Sequence, residues 1–298
     1  MIVTVLLGLA AACLLGLGFV AQQHAAYTEP LGEMLHLHLL LDLIRKPLWL
    51  CGVAAMVGGQ VLGALALRRA DVAQVEPLLA TNLIFALAVA AAVYRERLGR
   101  GEWLGAVLVS GGVAMFLLSG RPHGGGVPGP VSVVWVAILA TLMVAAVLVL
   151  AAVRVTLPTK AMLLAAAAGM LYGIQDVLTR ASLVTLEQAG RGPGALLTIW
   201  QPYTLLVIAV LGILLNQSAF DAAPLRISLP ATTAAEPVIG IMLGVVILGE
   251  RLRADPPALA GEVAGLIALV AGIVILGRSP YLAKSEQGAQ RRPGRRRR

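Results

Sequence analysis

The sequence predicts an all-α, polytopic membrane protein of about nine transmembrane helices, built as two inverted four-helix repeats around one connector helix. Three observations carry this expectation. Of the 298 residues, 59% are hydrophobic and 13% charged, with a mean hydropathy of +0.88, which leaves too little polar surface to cover a water-soluble core. Apolar runs of roughly 20 residues, the length that crosses a hydrocarbon core, recur along the chain. The stretch "ALRRADVAQVEPLLATNLIFALAVAAAVYRERL" (66–98) is echoed by "AFDAAPLRISLPATTAAEPVIGIMLGVVILGERL" (219–252), each running from a polar corner through one apolar helix into Glu-Arg-Leu.

The first span, 2–22, opens "MIVTVLLGLA". It lacks a positive n-region and its apolar stretch is too long for a cleaved signal, so it is expected to stay as a helix. The loop after it clusters His24, His36 and His38 with Glu29, Glu33 and Asp42. Its "HLHLLLD" reads as an amphipathic segment along the membrane, with a divalent-ion site as the alternative. The second span, 47–67, carries Gln60 among the small residues "GGQVLGALA", which let helices approach closely. The third, 72–94, holds Glu76, the helix breaker Pro77, and Thr81 with Asn82. Glu96-Arg97 after it, like Glu250-Arg251 later, reads as a boundary salt pair.

The fourth span, 102–119, is followed by "GRPHGGGVPGP". That run is a loop and not a phosphate cradle, because no Lys-Ser/Thr ending or strand-to-helix context accompanies it. The connector helix is 131–153. The sixth span, 160–183, spaces Tyr172, Asp176 and Arg180 at i, i+4 and i+8 with Gln175 and Thr179 beside them. This is a polar stripe on one helix face, in which Asp176 and Arg180 could neutralise each other. The seventh, 195–216, contains "TIWQPY", where Trp200 and Tyr203 read as interfacial belt residues flanking Gln201 and Pro202. The ninth is 257–277.

The eighth span, 225–249, is the most informative. Glu236 and Pro237 stand side by side near its middle, after Pro230, Thr232 and Thr233. A carboxylate at the bilayer centre costs about 2.5 to 3.5 kcal/mol on insertion scales, so it turns towards a partner or a wet cavity. Pro237 has no N–H and strips the Thr233 carbonyl of its helical partner, as Pro230 does that of Arg226. A carboxylate, two hydroxyls and freed acceptors together suit a helix that lines a cavity. Structural glue between helices is the competing reading. The candidate binding residues are therefore Glu236, Asn82, Thr232, Thr233, Asp176, Gln175, Tyr172, Gln60 and Gln201, with Pro77, Pro230 and Pro237 as helix breaks.

Two registers compete for the repeat. Matching the Glu-Pro pairs gives an offset of 160, and matching Glu-Arg-Leu gives 154. A six-residue gap inside a helix would swing one face by about 240°, so the gap-free 154 is preferred and Asn82 becomes the counterpart of Glu236. The next helices, "EWLGAVLVSGGVAMFLLSG" and "EVAGLIALVAGIVILG", repeat after a second loop six residues longer. An odd connector then inverts the second repeat, the arrangement of secondary transporters with a midplane site. The expected boundaries are 1–120 for the N-terminal repeat, 131–153 for the connector, 160–277 for the C-terminal repeat and 278–298 for a basic, disordered tail.

"GERL" after an apolar helix with Pro near its start, followed by a Gly-spaced helix, resembles the EamA-like branch of the drug/metabolite transporter superfamily. Within it, "IRKPLWLCGVAAMVGGQVLGALAL", the 19-residue step from Pro77 to Glu96 and nine spans resemble the NIPA-type magnesium transporter relatives. The resemblance implies an all-helical fold of inverted repeats that moves a small solute, in a superfamily that includes exporters of metabolites, without naming the solute.

Charge and chemistry limit the other classes. The net charge of +8 equals the eight basic residues from Arg278 onward, so the excess marks a cytoplasmic tail that meets anionic lipid, not a nucleic-acid surface. Inner segments hold 16 basic residues and outer ones 7, which puts the C-terminus inside and the N-terminus outside a plasma membrane. Cys13 and Cys51 fall in apolar runs and form no disulfide framework or metal motif. With no nucleophile–base pair and no nucleotide fingerprint, the expectation is a cofactor-free secondary transporter driven by a proton or ion gradient. Divalent-cation passage and a partner-binding scaffold are the alternatives, and homodimerisation is left open.

Overall fold

Inside a bilayer every backbone N–H and C=O must be satisfied within its own segment, so apolar runs of this length are constrained to helices. The computed structural model describes residues 2–26, 35–67, 69, 72–93, 98–121, 129–188 and 198–278. These form α1 (Ile2–Ala26), α2 (Leu37–Ile44), α3 (Pro47–Leu67), α4 (Val72–Leu79), α5 (Asn82–Val93), α6 (Arg100–Gly120), α7 (Val131–Ala152), α8 (Leu157–Gln188), α9 (Gln201–Ala222), α10 (Leu225–Leu248) and α11 (Pro256–Gly277). Eight are long and apolar enough to cross a membrane, and α4 with α5 supplies a ninth, broken crossing. The chain is a multi-pass membrane protein.

The expected continuous helix over 72–94 is instead discontinuous at Ala80-Thr81. Pro77 lies inside α4 and cannot donate to the carbonyl one turn back. Thr81 then competes with the helix, its hydroxyl donating to the Leu78 carbonyl at 2.6 Å. The Thr81 carbonyl restarts the helix by accepting from the N–H groups of Ile84 and Phe85 at 2.9 and 3.2 Å. The carbonyl of Ala80 accepts from Ser110 Oγ of α6 at 2.8 Å, so the break is satisfied from a neighbouring helix. By contrast α10 runs unbroken through Pro230 and Pro237. It stops at Gly249, whose φ of 68° is the left-handed cap geometry.

Close helix crossings reproduce the repeat. A side chain at Gly16 of α1 would collide with the Asn82 carbonyl (2.8 Å), the Ala86 N–H (2.8 Å) and Phe85 Cβ (3.0 Å). One at Gly173 of α8 would collide with the Glu236 carbonyl (2.8 Å), the Gly240 N–H (2.8 Å) and Ile239 Cβ (3.0 Å). The three atoms correspond one for one at an offset of 154, so Asn82 and Glu236 occupy equivalent places.

The last helix of each repeat gives the orientation. Gly105 and Gly112 of α6 meet Gly272 and Gly265 of α11 respectively, and the contacts are reciprocal. Gly105 and Gly265 stand 160 residues apart, as do Gly112 and Gly272, matching the longer second loop. Because the earlier glycine of one helix meets the later glycine of the other, the two equivalent helices run antiparallel. The repeats are therefore inverted, related by a pseudo-two-fold axis through the α6–α11 contact.

The connector α7 packs mainly on α8. The "HLHLLLD" segment is largely α2, with Leu39 and Leu43 buried, Leu41 and Ile44 exposed and His38 Nδ1 3.0 Å from Asp42. Among the described residues no group of three or more His, Cys, Asp or Glu could hold a metal ion; Glu29 and Glu33 lie outside those residues. At the start of α11, the Ala258 N–H and then Arg253 hold the Asp255 carboxyl below its ordinary range. A depressed carboxyl stabilises the fold above its unfolded value, and the contribution fades as pH falls through the folded one.

Candidate functional site

The polar groups that the sequence places in α8 and α10 come together because the two helices touch through small residues. Gly169 lies against the Thr232 carbonyl and Gly173 against that of Glu236, so the helices ascend in parallel and bring their polar faces level. Thr232 Oγ1 is within 3.1 Å of the Ala165 carbonyl and 3.2 Å of Asn216 Oδ1 of α9, and its single proton serves both acceptors. Asn216 also hydrogen-bonds the Tyr172 hydroxyl, which lies within electrostatic reach of Glu236. Tyr172 in turn packs its ring on Gly212 of α9. Thr232 and Thr233 are buried beneath Glu236, which is half-buried.

Above this floor the stripe on α8 climbs towards one membrane face. Asp176 Oδ2 sits over Gly240, one turn along α10 from Glu236. Asp176, Thr179 and Arg180 are exposed on a helix otherwise largely buried; charged groups exposed within a span face water, since lipid would penalise them. At the top Arg180 pairs with Glu250, which is 4% exposed. The expected Glu250-Arg251 boundary pair is thereby corrected: Glu250 turns inward to tie α8 to the turn after α10. Glu96 and Arg97 lie outside the described residues.

The remaining candidates separate into those near this stripe and those away from it. Gln175 is half-buried beside it, and its Nε2 is buried without a hydrogen-bond partner. Asn82 opens α5, half-buried, with Oδ1 buried and unpartnered. Ala80 and Ala234, two residues before Asn82 and Glu236, share one apolar cluster, so the α4–α5 break and the proline-flanked turn of α10 meet. Gln60, expected to be buried, is exposed on α3 in the stripe shared with Val57 and Val61. Gln201 is buried but starts α9, about 22 Å along the helix from Asn216 at 1.5 Å per residue, and does not join the floor. Trp200 beside it stacks on Trp135 of α7 with ring centroids 4.8 Å apart.

The opposite end of the bundle is sealed by residues the sequence reading missed. Gln217 Nε2 donates to Gln22 Oε1 at 2.6 Å, and Gln22 Nε2 donates to Met56 Sδ at 2.9 Å. Phe19 meets Phe220 edge-on at 6.2 Å. Ser218 Oγ accepts from the Leu35 N–H at 3.0 Å, tying the start of α2 to α9. Gln22, Gln217, Ser218 and Phe220 are at most 5% exposed. The first and seventh spans were expected to end at 22 and 216, whereas α1 and α9 continue to Ala26 and Ala222. Gln23, Gln217 and Ser218 thus fell just past the expected span ends and are in fact interior.

An EamA-like transporter family model matches residues 2–118. An uncharacterized protein of Corynebacterium glutamicum is 30% identical over 288 residues, covering 96% of this chain and 99% of that relative. No solved structure matches the chain.

Proposed function

The chain belongs to the EamA-like transporter family, and we propose that it is a secondary transporter of a small solute, working by alternating access and driven by a proton or ion gradient. The observation that carries the reading is the equivalence of Asn82 and Glu236 across the inverted repeat. Both stand where a helix is interrupted or proline-flanked, and only one can ionise. A group that binds and releases a proton or cation beside the solute couples the two fluxes, because occupancy by one changes affinity for the other.

In this reading Glu236 is the coupling group, Asp176, Tyr172, Gln175 and Asn82 face the solute, and Thr232, Thr233 and Asn216 hold the floor. Residues 1–120 and 160–277 act as the two repeats with 131–153 between them, in a plasma membrane with the C-terminus inside. Magnesium binds through one or two carboxylates with retained waters, so Glu236 and Asp176 keep divalent-cation passage as the second reading.

An untargeted metabolite comparison of cells with and without the protein tests the proposal. One class of small solute is expected to rise inside or outside the cells when the protein is removed; unchanged pools with altered cellular magnesium would favour the second reading. The basic tail is expected to be dispensable for the chemistry. Deleting residues 284–298 should leave flux within about twofold in correctly inserted protein, measured by uptake into vesicles, whereas complete loss would point to a scaffold that acts through its tail.

A further inference from the structure

The inverted repeat allows each end of the bundle to be compared with its own mirror image. The Gly16–Gly173 equivalence sets α1 and α8 157 residues apart. Gly59 of α3 packs on Leu15, and Gly212 of α9 packs on Tyr172, the counterpart of Leu15, which sets α3 and α9 153 apart. In these registers Gly63 matches Asn216 and Ala66 matches Ala219, and all four are buried. Val20 matches Val177, at 2% and 1% exposed. These positions near the middle are matched in burial, though Leu17 and Val61 are exposed where their counterparts Ile174 and Leu214 are buried.

The ends differ. Phe19, Gln22, Gln23, Gln217 and Ser218 are buried, whereas the α8 counterparts Asp176, Thr179 and Arg180 are exposed and the α3 counterparts Ala64 and Leu65 continue the exposed stripe of Val57, Gln60 and Val61. One end of the cleft is closed and its mirror image is open. The chemistry of the two ends differs in the same sense. At the closed end two amides, Gln22 and Gln217, bond across the repeats; at the open end the mirrored pair is Thr179 and Ala64. A hydroxyl and a methyl group cannot make that bond.

We propose that the Gln22–Gln217 hydrogen bond is a latch between the repeats that holds the closed end shut, and that the lack of an equivalent bond at Thr179 and Ala64 sets the resting direction of access. The proposal rests on the alternating-access reading above. A bond between buried amides is lost when the repeats part at that end, since each amide must then find water or remain unsatisfied. Among the described residues, the mirrored pair Thr179 and Ala64 has no such bond to lose when the other end opens. Phe19 and Phe220 add an apolar seal beside the latch, and the Ser218 bond to Leu35 carries α2 as a cover.

The test uses the full chain in sealed vesicles, with Cys13 and Cys51 replaced by Ser and labelling by a membrane-impermeant maleimide applied from each side. With the latch intact, Thr179→Cys is expected to label and Ser218→Cys to resist. Adding Gln217→Ala should raise labelling at 218 and lower it at 179, each by about fivefold, the shift that one hydrogen bond's net stabilisation produces. Gln22→Ala should do the same, and the two together should add little more. Installing Ala64→Gln with Thr179→Gln adds a bond at the open end and should shift access the same way, read as raised labelling of Ser218→Cys.

If Gln217→Ala leaves labelling at 218 unchanged in protein of wild-type thermal stability, the latch is refuted and α2 is a fixed cover. Should that variant fold poorly, a Gln22→Cys, Gln217→Cys pair decides the matter. Its oxidation should block exposure of 218 and its reduction restore it; exposure unaffected by the disulfide also overturns the proposal. Labelling needs no solute, so shifted labelling without flux would sink the transporter reading and leave the latch, and flux with unmoved labelling would do the reverse.

Discussion

Glu236→Gln is expected to abolish pH- or ion-dependent flux while leaving the protein folded. Glutamine keeps the size of the side chain and most of its hydrogen-bonding capacity, so Thr232, Asn216 and Tyr172 keep their floor. It cannot take up or release a proton at working pH. A purely structural Glu236 therefore predicts near-normal flux with a normal pH response, and a coupling Glu236 predicts a fall of at least tenfold in gradient-driven uptake. Solute exchange at equal pH on both sides should survive better than net uptake, because exchange does not require the coupling ion to dissociate. The check is proteoliposome uptake with and without a pH gradient, run beside thermal unfolding of the purified variant. Unchanged flux and pH response would reduce Glu236 to helix glue.

The second large effect concerns the crossing that positions this group. Gly173→Leu drives a side chain into the backbone of α10 at Glu236 and Gly240, where a first carbon alone would come within 2.8 Å of two main-chain atoms. Backbone cannot rotate aside as a side chain can, so the cost lies at or above the upper end of the usual 1–3 kcal/mol for overpacking. The variant is expected to lose several degrees of melting temperature and to lose transport even where it folds, since α8 and α10 must part. Gly240→Ala is the internal control. A carbon added there meets Asp176 Oδ2 and Gly173 Cα at ordinary contact distances of 3.9 and 4.0 Å, and stability should stay within about 0.5 kcal/mol, the usual limit for changes that touch no such feature. Equal tolerance of both substitutions in a thermal-shift measurement would mean that the crossing is looser than described.

Much of the membrane architecture was legible because bilayer thickness imposes a length and apolar composition fills it. The nine crossings follow from that rule, and the 154-residue register followed from refusing a gap inside a helix. The break at Ala80-Thr81 was less legible, because Pro77 lies three residues before the interruption and Thr81 completes it through its own hydroxyl. The Tyr172–Asp176–Arg180 stripe could be read from helical spacing, but its partners on α9 and beyond α10 could not. Asn216 fell at an assigned span end, and Glu250 looked like a boundary charge until Arg180 was seen to reach it.

Gln60 shows the converse failure, being exposed on α3. A polar residue in an apolar run reads as buried and central whichever face it occupies, and periodicity alone does not say which face meets lipid when nearly every position is apolar. The closed end was missed for a related reason. Its glutamines stand in the last turns of α1 and α9, where the sequence offers no sharp boundary between hydrocarbon and interface.

The central claim is that this chain moves a small solute through a site containing Glu236, and gradient-driven flux into proteoliposomes tests it most directly. Purified protein is reconstituted with an imposed pH gradient and offered a defined panel of amino acids, amines and magnesium, with protein-free vesicles and the Glu236→Gln variant alongside. The expected result is saturable uptake or release of at least one organic solute that collapses with the gradient and is lost in the variant. Folded, correctly inserted protein that moves none of the panel beyond the protein-free rate, or that moves magnesium alone, would contradict it.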